Sequence, residues 1–251
     1  MVRRLLLILA VPTGLSAQDR AVKTTSLYAD LGFVNASGNT SVTTLNIGEK
    51  FIRNSADKRV VFTQQFGAVR SRSDGVINVQ NYRALLRLDY GLGGRFYLFG
   101  LTGWDKNVPG GVRRRFEETI GILFKAITLP NDELGVEVGL SMFQQRNTVA
   151  TAGIFEDNFT AGRGAAFYKR TFTKTTFFTQ QVELIPNFDD SEDFRLNTES
   201  AFTALVSTNV GVKLSYLIRY DHFPGLKPGS TTGERLAKTD RFLTAGITAS
   251  Y

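Results

Sequence analysis

The chain has one histidine and no cysteine, so its options for catalysis are few. His222 follows Asp221, and Asp189-Asp190 lies upstream of it. An outer-membrane aspartate/histidine hydrolase of the omptin type needs such groups to converge on a water. A phospholipase needs a serine paired with His222, and nothing marks out one serine among many. Adjacent residues of a strand point to opposite faces, so Asp221 and His222 do not share a site if the strand runs through them. An exposed loop histidine beside solvated acids is the simpler account. Asp189, Asp190, Glu192 and Asp193 have the oxygen-rich character of a Ca²⁺ loop, but a simply hydrated acidic loop is the preferred account of them. Neither Asp30-Leu31-Gly32 nor Gly91-Leu92-Gly93-Gly94 reads as a phosphate loop, because no helix follows to supply amide donors. Gly93-Gly94 reads as a hairpin turn. The lack of cysteine excludes thiolate metal sites, disulfides and a cysteine-anchored lipoprotein. No metal and no cofactor are expected.

The remaining candidate chemistry is a set of charges that recur on one face of alternating segments. From Tyr82 to Tyr90, one face carries Tyr82, Ala84, Leu86, Leu88 and Tyr90, and the other Arg83, Leu85, Arg87 and Asp89. From Leu134 to Met142, an apolar face alternates with Gly135, Glu137, Gly139 and Ser141. Val210 to Asp221 sets Val210, Val212, Leu214, Tyr216, Ile218 and Tyr220 against Lys213, Ser215, Arg219 and Asp221. This period of two is the mark of strands. Phasing them together places Asp30, Asp89, Glu117, Glu137, Glu183, Glu199 and Asp221 on one side with Lys50, Arg83, Arg87, Arg115, Arg195, Lys213 and Arg219.

The elements that position these charges read as strand and turn throughout, with no convincing amphipathic helix. Twelve strand candidates run near 25–35, 40–53, 59–71, 78–91, 95–106, 113–126, 134–146, 158–170, 175–184, 193–206, 210–221 and 239–251. The faces of 95–106, 158–170 and 175–184 are ambiguous. Many of these strands are as long as a tilted membrane crossing requires, about 9–11 residues, against about 5–6 in an average globular strand. Tyr and Phe near the ends of the apolar faces match interfacial girdles. The expected fold is all-β: a closed, antiparallel, up-and-down transmembrane β-barrel of about 12 strands. The charged face then lines the lumen. Two accounts of it compete. Opposite charges pair and obstruct the lumen, or they line a wet passage for small polar solutes; about eight strands fill a barrel and 16–18 leave a channel, so 12 falls between. The obstructed account is preferred, and the matched charges argue against strong ion selectivity.

Connections on one side, such as Leu92-Gly93-Gly94, Pro130-Asn131-Asp132 and Thr208-Asn209, are short and turn-like. Those on the other are expected to be longer: Asn147 to Asp157, Pro186 to Glu192 and His222 to Lys238, with Ala36 to Asn39 as a short exception. Both termini then face the periplasm.

The N-terminus has the layout of a secretory signal peptide: Arg3-Arg4, an apolar run from Leu5 to Val11, Pro12 and Gly14, then Leu15-Ser16-Ala17. This divides the chain into a signal peptide over 1–17 and a barrel over 18–251. At the other end Leu243, Ala245, Ile247, Ala249 and Tyr251 share one face, like the terminal strand by which outer-membrane barrels are recognised for insertion. The +7 net charge is scattered rather than clustered, which argues against nucleic acid. Outer-membrane lipid, lipopolysaccharide and the barrel-insertion machinery are the expected partners, in the bacterial outer membrane.

Particular stretches carry a resemblance. Leu27-Tyr28-Ala29-Asp30-Leu31-Gly32-Phe33 is followed by Ala36-Ser37-Gly38-Asn39-Thr40. Then come Tyr97-Leu98-Phe99-Gly100 with Trp104-Asp105-Lys106, Arg115-Phe116-Glu117-Glu118, and Pro130-Asn131-Asp132-Glu133-Leu134 with Glu137-Val138-Gly139. In these the chain resembles the domain-of-unknown-function family 481, also called salt-induced outer-membrane proteins. The resemblance implies an outer-membrane barrel and brings no catalytic residues.

Overall fold

The computed structural model describes residues 25–36, 42–151, 153–227 and 233–250. The signal-peptide segment, the Ser37-Gly38-Asn39-Thr40 turn and Tyr251 lie outside the described residues. Twelve strands follow in order: β1 Thr25–Ala36, β2 Val42–Asn54, β3 Val60–Ser73, β4 Val76–Gly93, β5 Phe96–Asn107, β6 Val112–Thr128, β7 Asp132–Thr151, β8 Ile154–Thr171, β9 Thr176–Pro186, β10 Phe194–Leu205, β11 Val210–Asp221 and β12 Thr239–Ser250. Each pairs antiparallel with its sequence neighbour, and β12 closes on β1, giving a closed barrel. Closure leaves no open sheet edge along the wall. Among the described residues Tyr28 to Leu31 of β1 pair with Ile247 to Ser250 at the seam, whereas β1 pairs with β2 from Thr25 to Ala36.

The sequence alternation becomes an inside and an outside. On β7, Val138, Leu140 and Met142 are 64%, 62% and 59% exposed, while Glu137 and Ser141 between them are each 2% exposed. Phe116 and Ile120 of β6 point out, and Glu117 and Thr119 are buried. A soluble sandwich shows the reverse, apolar in and polar out. An apolar surface of this extent is far larger than a water-soluble monomer carries. A hydrocarbon surround removes that cost, and a closed sheet pairs its backbone groups from strand to strand.

Turn chemistry fixes the hairpins. Asp74 (φ 49°) and Gly75 (φ 80°) form the two-residue β3–β4 turn with both positive φ values that this tight hairpin needs. The connection across 147–157, expected as a long loop, is instead a hairpin extension. β7 runs on through Thr148, Val149, Ala150 and Thr151, and β8 restarts at Ile154. The β-branched residues favour strand, and Gly153 takes the left-handed turn position (φ 84°). Long connections at that end are therefore only those between β9 and β10 and between β11 and β12.

Candidate functional site

The lumen is crossed by a chain of ion pairs that starts on β4 and ends on β9, with a hydrogen bond from β10 at its far end. Arg87 Nη2 lies 2.6 Å from Asp89 Oδ1 and 2.7 Å from Glu137 Oε1. Arg163 lies 2.5 Å from the other oxygen of Glu137 and 2.9 Å from Glu183. The Asn197 amide then donates to Glu183 over 2.9 Å. Both guanidiniums stand against the Phe99 ring, Arg87 at 4.2 Å and Arg163 at 5.7 Å from its centroid. Phe99, 1% exposed, packs with Leu85 and Leu101 as a plug of the interior. Charged hydrogen bonds of this kind are short and strong. Each acid in the chain bonds a cation, which offsets part of the cost of burying it.

Side chains on either side extend this polar layer. Thr119 donates to Glu117 at 3.1 Å and shares a 2.7 Å hydrogen bond with Ser141. Arg83 approaches Glu117 at 3.8 Å. Lys213 holds Asp30 at 2.8 Å, with Glu199 at 4.0 Å. Toward the β11–β12 end, Arg195 meets Asp221 at 3.5 Å and Arg115 meets Asp105 at 3.7 Å. Lys50 and Arg219 line the interior without an ion pair among the described residues. Below the plug a cavity of about 1130 Å³ extends from Arg83 and Arg219 to the β6–β7 turn at Leu129 and Pro130.

Gly121 and Gly139 allow this interior to close. A Cβ on Gly121 meets the Val138 carbonyl and comes within 2.7 Å of Phe99 Cζ. The two glycines face each other in register, so the Phe99 ring seats directly against backbone.

Arg163 is the central residue that the sequence pattern does not single out. On β8 the inward face carries Phe159, Ala161 and Ala165, all buried, around Arg163. The outward face carries Gly162 and Gly164, so apolar character points to the wrong side and leaves the phase ambiguous. Asp105, Phe99 and Asn197 are also absent from the sequence-derived set. The signal available for Arg163 was the β7–β8 register, which sets it across from Gly139 and beside Glu137.

His222 does not meet Asp221. Its Nδ1 shares a 2.8 Å hydrogen bond with the Tyr220 hydroxyl, and its ring stacks on Phe194 at 4.9 Å. Asp221 turns to Arg195 and to the Phe223 amide. The loop acids cap turns: Asp189 accepts from the Thr160 amide at 2.8 Å, Asp190 from the Glu192 amide, and Asp193 from the Asn187 side chain. Burial pushes the Asp193 carboxyl above its ordinary range, against the pull of that bond. No cluster of three or more metal-type ligands occurs among the described residues. Leu243, Ala245, Ile247 and Ala249 lie on the outward phase of β12, with Leu243 and Ile247 exposed.

Solved structures share this architecture. The NanC porin matches with a TM-score of 0.51 at 9% identity, over 89% of this chain and 98% of that one. The COG4313 outer membrane channel from Pseudomonas putida F1 matches with a TM-score of 0.52 at 8% identity, over 90% and 94%. The translocator domain of the autotransporter NalP from Neisseria meningitidis matches with a TM-score of 0.50 at 12% identity, over 93% and 90%. At such identities these likenesses concern the fold. A comparison with curated proteins found no match. The family model described as "Protein of unknown function, DUF481" matches residues 29–251, nearly the whole of the described barrel, and the chain belongs to that family.

Proposed function

We propose that the chain is a non-enzymatic integral protein of the bacterial outer membrane whose narrow, ion-paired lumen passes only small polar solutes. The observation that carries this reading is the pairing of an apolar outer belt with an interior crossed by Arg87, Glu137, Arg163 and Glu183. The belt requires hydrocarbon outside. The crossing chain spans the lumen from β4 to β9 and leaves a cavity of about 1130 Å³ on one side. The porin and channel folds among the similar structures support a passage. In this reading both termini face the periplasm, and the exterior meets lipid and lipopolysaccharide. His222, engaged with Tyr220 and Phe194, has no arrangement that favours hydrolysis.

Swelling of vesicles containing the refolded barrel tests the passage. Glycine and a pentose are expected to enter slowly, and a trisaccharide not at all. Equal entry of all three, or of none, overturns it.

A further inference from the structure

The outer wall over β5, β6 and β7 carries an ordered series of side chains that the lumen does not explain. Beyond one end of the apolar belt stand Lys106, Arg114 and Arg146. Lys106 lies across from Tyr82 on the outward phase, and Arg114 lies directly across from Arg146. Like charges directly opposed destabilise a strand pair. Glu156 reaches Arg146 at 3.5 Å, but Lys106 and Arg114 have no ion pair among the described residues. Three cations thus share this edge with one acid.

The next row toward the belt is Trp104, Phe116 and Gln144, paired in register. Aromatic side chains of this kind sit at the headgroup level of a bilayer. Past them the wall is grooved. The groove holds about 860 Å³ and runs from Leu86 and Leu88 past Gly100 to Leu140 and Met142, within the range of ligand pockets, about 300–1,000 Å³. Gly100 is its floor, where an added Cβ meets nothing within 4 Å. Phe188 closes one side. Its amide donates to the Thr160 carbonyl, and a Cβ on Gly162 comes within 3.0 Å of its ring. Glu118 opens onto the same groove. It is exposed and has neither an ion pair nor a side-chain hydrogen bond among the described residues. A carboxylate facing lipid is costly unless a donor meets it. Four residues separate it from Arg114, about 13 Å along the strand.

We infer that this face binds one phosphorylated membrane glycolipid. Its phosphate lies on the row of Lys106, Arg114 and Arg146, and an acyl chain fills the groove. A hydroxyl or amide N–H on that chain donates to Glu118. Arginine grips phosphate through parallel N–H bonds, and basic clusters beside a bilayer hold anionic headgroups. A second copy of the chain is the poorer occupant, because a two-fold contact sets the same cationic row against itself. The site rests on the reading of the barrel as an integral membrane protein and is independent of passage through the lumen.

Native mass spectrometry of the refolded full chain, released from detergent after incubation with lipid, tests this with three probes. Lipid A carries phosphates and hydroxylated, amide-linked chains; phosphatidylglycerol carries a phosphate but plain chains; phosphatidylcholine has no net charge. Lipid A is expected to be retained at least tenfold better than phosphatidylcholine, with phosphatidylglycerol between them. Arg114→Gln combined with Arg146→Gln is expected to cut lipid A retention at least tenfold, and Gly100→Leu, which fills the groove, several-fold. Glu118→Leu is expected to lower retention of lipid A without lowering that of phosphatidylglycerol. Arg170→Gln, at the opposite end of the barrel, is expected to change nothing. A heat-dependent shift in gel mobility establishes that each variant is folded. Equal retention of the three lipids, undiminished lipid A retention in the folded site variants, or dimers in place of bound lipid overturns the assignment. Lipid A retained by a barrel that admits no solute keeps the site and removes the passage; solute entry without lipid preference does the reverse.

Discussion

Replacing Arg163 with methionine removes the charge at the centre of the lumen and keeps most of the stem. It strands Glu137 and Glu183, which are 2% and 3% exposed. Their losses differ. Glu137 keeps Arg87 at 2.7 Å, whereas Glu183 keeps only the Asn197 amide at 2.9 Å. Removing one partner of a buried pair costs about 3–5 kcal/mol, most of it from the uncompensated charge left behind. Glu183 carries that penalty, so Arg163→Met is expected to lose about 3 kcal/mol or more. Adding Glu183→Gln to it removes the stranded charge and is expected to restore about half of the loss, a coupling typical of groups in direct contact. The assay is reversible urea unfolding in lipid vesicles, followed by the fluorescence of Trp104, the only tryptophan in the chain. A loss below about 1 kcal/mol, the scale of an exposed pair, or no recovery in the double variant refutes the reasoning.

Four further outcomes follow from the same structure. Gly121→Ala forces a Cβ against the Val138 carbonyl and Phe99; overpacking of about 1–3 kcal/mol is expected in the same unfolding assay. Leu140→Arg places a charge on the lipid face, where Leu140 is 62% exposed, and is expected to cost about 2–4 kcal/mol in vesicles if that level is near mid-membrane. His222→Ala is expected to leave peptide and phospholipid cleavage assays unchanged and to cost about 1 kcal/mol through the lost Tyr220 bond. The Ser55 hydroxyl and Arg59 amide hold the Asp57 carboxyl below its ordinary range. A depressed carboxylate pKa contributes stability above its unfolded value, near 4, and loses it as pH falls through the folded value. The protection factor of the β2–β3 turn amides, the intrinsic exchange rate at each pH relative to the observed rate, is therefore expected to stay constant from pH 7 to about pH 4.5 and to fall only below that.

Strand number and most boundaries were legible in the sequence because an apolar outward face leaves a period-two signal on nearly every strand. The signal failed where outward residues are small. On β8, Gly162 and Gly164 face out while Phe159, Ala161 and Ala165 are buried inside, and Arg163 was lost with the phase. The charged residues Asp30, Arg87, Glu137, Glu183 and Lys213 were legible by phase, but their pairing was not. Arg87 of β4 meets Glu137 of β7 across the interior, a contact set by barrel closure rather than by neighbouring strands. Lys50 and Arg219 were placed with the paired charges and prove to have no ion pair among the described residues. The 147–157 segment was misread as a loop because its polar residues, Asn147, Thr148 and Thr151, continue a hairpin beyond the apolar belt.

Single-channel conductance of the refolded barrel in planar bilayers bears most directly on the obstructed lumen, with wild type measured beside Arg163→Ala. Wild type is expected to show small or brief currents, and the variant a conductance several-fold larger, since the crossing from Arg87 through Glu137 to Glu183 is cut at its centre. Large, steady wild-type openings that Arg163→Ala does not change contradict the account.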